Sequence, residues 1–240
     1  TTVGQYRFAA VRFGVGGDLS VTLLDEGVSA TAGAIAGVTG STASTLAGGV
    51  VYQPGRPTVL GVQDSGAGAT NAYNGRLDDI AFYDSVLTDA DLALIAATGA
   101  GFHANGATAG LTRNWDAGNP GPSPAANWQS NFGATQNLAL QGGANEPVLV
   151  NGVSSPNTEI DSAFRFNGMG AGRANFAGQL PGRGQNLTLE LWAKPADLTG
   201  QEILLEAGGD GNGFSILLDG NRLRMVLDQD SVSELSGTSN

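Results

Sequence analysis

The feature that most constrains this chain is an apolar alternation of period two, carried in short runs that Gly, Asn or Asp interrupts. Residues 19–24 (LSVTLL) put Leu19, Val21 and Leu23 on one side, and residues 187–193 (LTLELWA) and 223–227 (LRMVL) alternate in the same way. Positions i, i+2 and i+4 share one face of a strand, so each run is a strand whose apolar face needs a second layer over it. Residues 6–13, 57–63, 77–83, 137–140, 148–150, 164–166 and 214–218 read as further strands, and the Gly/Ala/Ser/Thr tract 30–49 as a small-residue strand with its loops. Asp219-Gly220-Asn221 between two such runs predicts a tight hairpin.

One segment departs from this period. Thr88 is placed to cap a helix with Asp91 three residues on, Leu87 and Leu92 are spaced as a hydrophobic staple, and Gly99 stands where the helix should stop. The spacing predicts a helix over 88–98, with Leu92 and Ile95 on its buried side. The fold class expected is therefore all-β: an antiparallel jelly-roll β-sandwich with one short capping helix. At 240 residues and 41% apolar content the chain can bury a full core, which argues against wholesale disorder.

Charge narrows the partners. With 22 acidic residues against 11 basic ones the net charge is −11, which repels nucleic-acid phosphates and anionic lipid surfaces, so nucleic acid is not expected as a partner. No apolar run approaches the roughly 20 residues that span a bilayer, so membrane insertion is not expected either. Cysteine is absent, which excludes disulfides and thiolate metal sites. Lys194 is the single lysine, and a surface of acids and small polar residues suits an extracellular or saline setting. Thr1 opens in mid-pattern, as the interior of a longer chain does.

The chain divides by composition. Residues 1–100 and 129–240 carry the strand patterns, while 101–128 is Gly-rich and then Pro-rich, ending in WDAGNPGPSPAANW between Trp115 and Trp128. That composition predicts a domain junction. Residues 73–87 (YNGRLDDIAFYDSVL), with the helix that follows, resemble the C-terminal signature of bacterial laminin-G-like domains. Residues 163–168 (AFRFNG), 187–195 (LTLELWAKP) and 202–218 resemble the N-terminal half of the same laminin-G and concanavalin A-like superfamily. The order is reversed: the part that normally closes such a domain comes first. The resemblance thus implies a window on a tandem array or a subunit completed by its neighbour, with residues 187–193 and 223–227 of one copy sharing a sandwich with 6–13 and 77–83 of the next. A permutant that closes on itself is the remaining arrangement.

Catalytic chemistry is poorly served. The superfamily's glucanases carry carboxylates two residues apart on one strand, whereas Glu190 stands alone in its run and Glu202 and Glu206 are four apart. His103 is the single histidine and lies in the Gly-rich junction, which serves neither a triad nor zinc. No enzyme activity and no required cofactor are expected. Calcium is the metal that acidic rim loops suit, since it takes six to eight oxygens. Its candidate ligands are Asp25, Asp78 with Asp79 beside it, and Asp210 with Asn212 in the loop GGDGNG; the competing role is ordinary turn and strand-start hydrogen bonding. Trp115 and Trp128 are expected to staple one module to the next, the alternative being stacking on sugar rings. The function expected is a structural or adhesive repeat at a bacterial cell surface, partnered by copies of itself head to tail and by glycans or surface proteins. A lectin-like carbohydrate-binding module is the second expectation.

Overall fold

The computed structural model describes residues 3–14, 18–25, 40–43, 57–64, 69–98, 110–118, 127–128, 130, 137–151, 161–170, 172–176, 186–207, 213–228 and 233–238. The first half contributes β1 (Arg7–Phe13), β2 (Asp18–Asp25), β3 (Gly40–Ala43), β4 (Thr58–Leu60), β5 (Gln63–Asp64), β6 (Ala69–Thr70), β7 (Asn74–Tyr83) and α1 (Asp89–Thr98). There follow β8 (Leu111–Trp115), β9 (Asn127–Trp128), β10 (Leu138–Gln141), β11 (Val148–Asn151), β12 (Ser162–Asn167) and β13 (Arg173–Phe176). The last strands are β14 (Leu187–Pro195), β15 (Gln201–Ala207), β16 (Gly213–Asp219), β17 (Arg222–Asp228) and β18 (Ser233–Thr238).

Sixteen of these strands make two antiparallel sheets, and β5 and β6 pair with each other as a separate two-stranded one. Sheet I runs β11-β12-β7-β14-β1-β2-β3, with β8 pairing β7 as well; sheet II runs β18-β17-β16-β15-β4-β13-β10-β9. The fold is an all-β sandwich with one helix among the described residues. Val21, Leu23, Leu77, Leu189 and Leu191 of sheet I meet Leu60, Leu205, Ile216 and Met225 of sheet II in one buried cluster. The period-two runs of the sequence thus deliver their apolar faces to the space between the sheets, where removal from water stabilises both layers at once.

The two halves of the chain are interleaved. Strand β14 lies between β1 and β7, with Ala9 opposite Leu191 on one side and Phe82 opposite Leu189 on the other. Strand β4 likewise lies between β13 and β15. Residues 187–193 therefore pair with 6–13 and 77–83 of the same chain. Thr1 and Asn240, expected to meet between copies, lie outside the described residues.

The helix forms as its spacing predicts. The Asp91 N–H donates to Thr88 Oγ1 at 3.2 Å and the Thr88 N–H donates back to Asp91 Oδ2 at 2.9 Å, a reciprocal capping box with Asp in the usual Glu place. Leu87, Leu92 and Ile95 are buried with Phe8, Ala10, Ala81, Tyr83 and Trp192, so α1 covers the outer face of sheet I. Thr188 of β14 fixes the approach to the helix, donating to the Ser85 carbonyl at 2.7 Å and accepting from the Leu87 N–H at 3.0 Å. Arg12 of β1 holds the first turn through a 2.6 Å ion pair with Asp89.

Two sequence expectations change. Strand β4 stops at Leu60 because Gly61 takes φ +84°, where a Cβ would come within 2.3 Å of the Phe166 ring. The tryptophans are core residues: Trp115 packs edge-on to Phe82 and Phe176, and Trp128 lies 4.6 Å from Phe164, all centroid to centroid within 5.7 Å. Trp115 is on sheet I and Trp128 on sheet II, so the stretch between them carries the chain from one layer to the other. The hairpin at β16–β17 does form, with Asp219 opposite Arg222 and Gly220 at φ +62° in the first of its two loop positions.

Closure within one chain predicts a crosslinking outcome. Asn74 and Asn167 face each other across β7 and β12, at the spacing of directly opposed antiparallel residues, about 4.5–5.5 Å between Cα atoms. The double variant Asn74→Cys, Asn167→Cys should oxidise to a monomer of altered mobility on a non-reducing gel. Disulfide-linked dimers as the main product would show that the halves pair between copies.

Candidate functional site

The outer face of sheet I carries the groups with chemical character. Inward residues Leu187, Leu189, Leu191 and Ala193 of β14 leave Thr188, Glu190, Trp192 and Lys194 on the outside, and the register extends each position across neighbouring strands. Beneath α1, Glu190 sits between Ala10 of β1 and Ala81 of β7. It is wholly buried, and neither of its carboxylate oxygens has a hydrogen-bond partner among the described residues. Burial, reinforced by the charges of Asp79 and Asp78, pushes its pKa well above the ordinary carboxyl range.

Asp78 and Asp79 occupy a bulge. The register of β7 against β14 slips between Glu190 and Trp192, and Asp79 takes φ +48°, which turns both acids out of the core. Asp78 Oδ1 accepts the N–H groups of Asp79 at 2.8 Å and Ala117 at 2.9 Å. Asp79 Oδ1 accepts from Asn114 Nδ2 at 3.2 Å. Burial and the charge of Asp79 raise the Asp78 pKa, against the lowering effect of its amide donors. Asp78 is thus a clamp on backbone amides, fastening β8 to β7.

The calcium candidates are not gathered. Asp25 ends β2 opposite Arg7, and Asp78 lies on β7, three strand spacings away across β1 and β14, or about 14 Å of backbone separation. One calcium holds its oxygens at about 2.3–2.6 Å and cannot join them. Asp210 and Asn212 lie outside the described residues. Among the described residues no group of three or more His, Cys, Asp or Glu side chains is placed to hold a metal. Glu202 and Glu206 are both buried on β15; Glu202 accepts the Asn74 N–H at 3.1 Å, and burial lifts its pKa to about 7.

Beyond the acids, the same face turns cationic. Arg165 of β12 is directly opposite Arg76 of β7, and Arg76 is directly opposite Lys194 of β14. Leu77, Phe164, Phe166 and Ala193 point inward, so all three cations point outward from one row of the sheet. They line an open cavity of about 240 Å³ with Gly4, Asn74 and Gly75. Gly75 sits close against its neighbours, since a Cβ there would come within 2.5 Å of the Lys194 carbonyl oxygen and the Tyr73 hydroxyl. This row was missed in the sequence because Arg76, Arg165 and Lys194 are far apart in the chain and only strand register joins them. Comparison with family models, with curated proteins and with solved structures returns no match for this chain.

The buried acids predict a pH dependence with a definite sign. A carboxyl whose folded pKa is raised stabilises the fold fully below its unfolded value near 4.5 and loses that contribution as pH rises toward the folded value. For Glu202 the loss falls between about 4.5 and about 7; for Glu190 it likewise sets in as pH rises above about 4.5. Melting temperature should fall as pH is raised from 4.5 to 8. Glu190→Gln, which cannot ionise, should show a shallower fall, each kcal/mol recovered appearing as about 2–4 °C. Parallel melting profiles for the two proteins would contradict this account.

Proposed function

We propose that the chain is a non-enzymatic, extracellular structural or adhesive module from a bacterial cell surface, of the laminin-G and concanavalin A-like kind in jelly-roll order. Its sandwiches stack head to tail as closed units. The observation that carries the reading is the enclosure of the acids. Glu190 and Asp78 are 0% exposed, and Glu202 and Glu206 are 7% exposed, so these four carboxylates are not presented to a polymer lying in a groove. The reversed halves are complementary and meet in one core, which suits a unit strung in a row. The charge of −11 keeps such units soluble and leaves attraction between them to local patches. No cofactor is needed on this reading.

A lectin-like module is the second reading, favoured by the cavity along the cationic row. The readings separate in solution. Light scattering with electron microscopy at rising concentration should show linear rows of one repeating unit, and reducing-sugar release from β-glucans should not exceed the buffer blank. A monodisperse monomer at every concentration, with binding to a glycan, would replace the first reading by the second. Removal of divalent ions with EDTA should leave the melting temperature unchanged; a fall abolished by Asp210→Asn would instead assign calcium to that loop.

A further inference from the structure

The row Arg165–Arg76–Lys194 is costly as it stands. Like charges directly opposite one another on a sheet are destabilising, and neither guanidinium of Arg76 and Arg165 makes a hydrogen bond or ion pair among the described residues. Arg12, by contrast, pairs with Asp89 and Arg224 with Asp219, each at 2.6 Å. Three of the 11 basic residues of a chain carrying 22 acids are thus set side by side and left open. The nearest acid along the strand on the same face, Asp78, is held instead by backbone amides. Lys194 is anchored by the Tyr6 ring, 5.0 Å from Nζ to the centroid, so one cation is positioned in advance.

We propose that this row is a binding site for a small organic oxyanion, a carboxylate or a sulfate, seated on Arg76 with Arg165 and Lys194 to either side. The planar guanidinium fork matches such a group with two parallel charge-assisted hydrogen bonds. The cavity, at about 240 Å³, is below the range of drug-sized sites and suits a single acidic unit. The net charge of −11 repels an extended polyanion over long range, while three cations at one point attract a single charged group, so the ligand is a small acid and not an acidic polymer. The site serves a solitary module as well as one in a row, and it stands apart from the stacking reading.

Calorimetric titration of the intact chain with sodium glucuronate, sodium sulfate and glucose tests it. Saturable binding of glucuronate or sulfate with Kd of about 1 mM or tighter, weakened by added salt and absent for glucose, is expected. Arg76→Gln should weaken binding about tenfold or more while melting at or above the wild-type temperature, because it relieves the like-charge row. Arg222→Gln, on sheet II, should bind as the wild type does. Glucose bound as well as glucuronate, no saturable binding below about 10 mM, or unchanged binding in Arg76→Gln would each overturn the proposal.

Discussion

Everything in this fold depends on the pairing of β14 with β1 on one side and β7 on the other. A strand in the middle of a sheet has both edges satisfied by ladder hydrogen bonds, and β14 obtains both from the first half of the chain. Without it, β1 and β7 would each present an unpaired edge, and Ala9, Val11, Leu77 and Phe82 would lose the residues beside them in the core. The helix depends on it too, since Thr188 and Trp192 of β14 help to fix its approach and its floor. A long-range pairing of this kind must close a large loop before it is rewarded, so folding of this chain should be governed by that step.

The strands and the helix were legible in the sequence because their causes are local. Leu19, Val21 and Leu23 alternate, and Val21 and Leu23 are core residues; Thr88 and Asp91 sit at capping distance, and they cap. The Gly220-Asn221 turn required a positive φ at a residue that has no Cβ to oppose it. What was not legible depends on register and layer. Prolines and glycines between Trp115 and Trp128 read as a junction, yet two bulky rings in such a stretch were enough to pull both ends into the core. The chain in which the two halves meet was not legible, because a pattern of faces is the same for a neighbour and for the chain itself.

The candidate site shows the same division. Asp78 was singled out as an acid at a strand start, and its hydrogen bonds to two backbone amides are the ordinary use of such a residue. Glu190 stood alone in an apolar run, which gave no hint that a helix would seal it in. The bulge at Asp79 could not be read at all, for its φ of +48° is imposed by the pairing of β7 with two neighbours at once. Arg76 falls just before the run 77–83 that reads as a strand, and its two cationic neighbours come from strands on either side.

One face of one sheet therefore holds acids that are enclosed and cations that are open, and the two facts are linked. An acid exposed directly opposite Arg76 on the sheet would have paired with it and cancelled the row; Asp197, at the edge of the cavity, instead accepts from Asn74 Nδ2 at 3.3 Å. Along β7 the nearest acid is Asp78, two residues on and on the same face, but the bulge turns its oxygen to the amides of Asp79 and Ala117. Glu190, one strand over, is sealed under α1 between Ala10 and Ala81. Burial raises the pKa of both. The enclosure of these two acids leaves the row Arg165–Arg76–Lys194 as a positive strip on a protein that is otherwise strongly negative. Local charge, set by which groups the packing removes from water, can in this way oppose the sign that composition assigns to the whole.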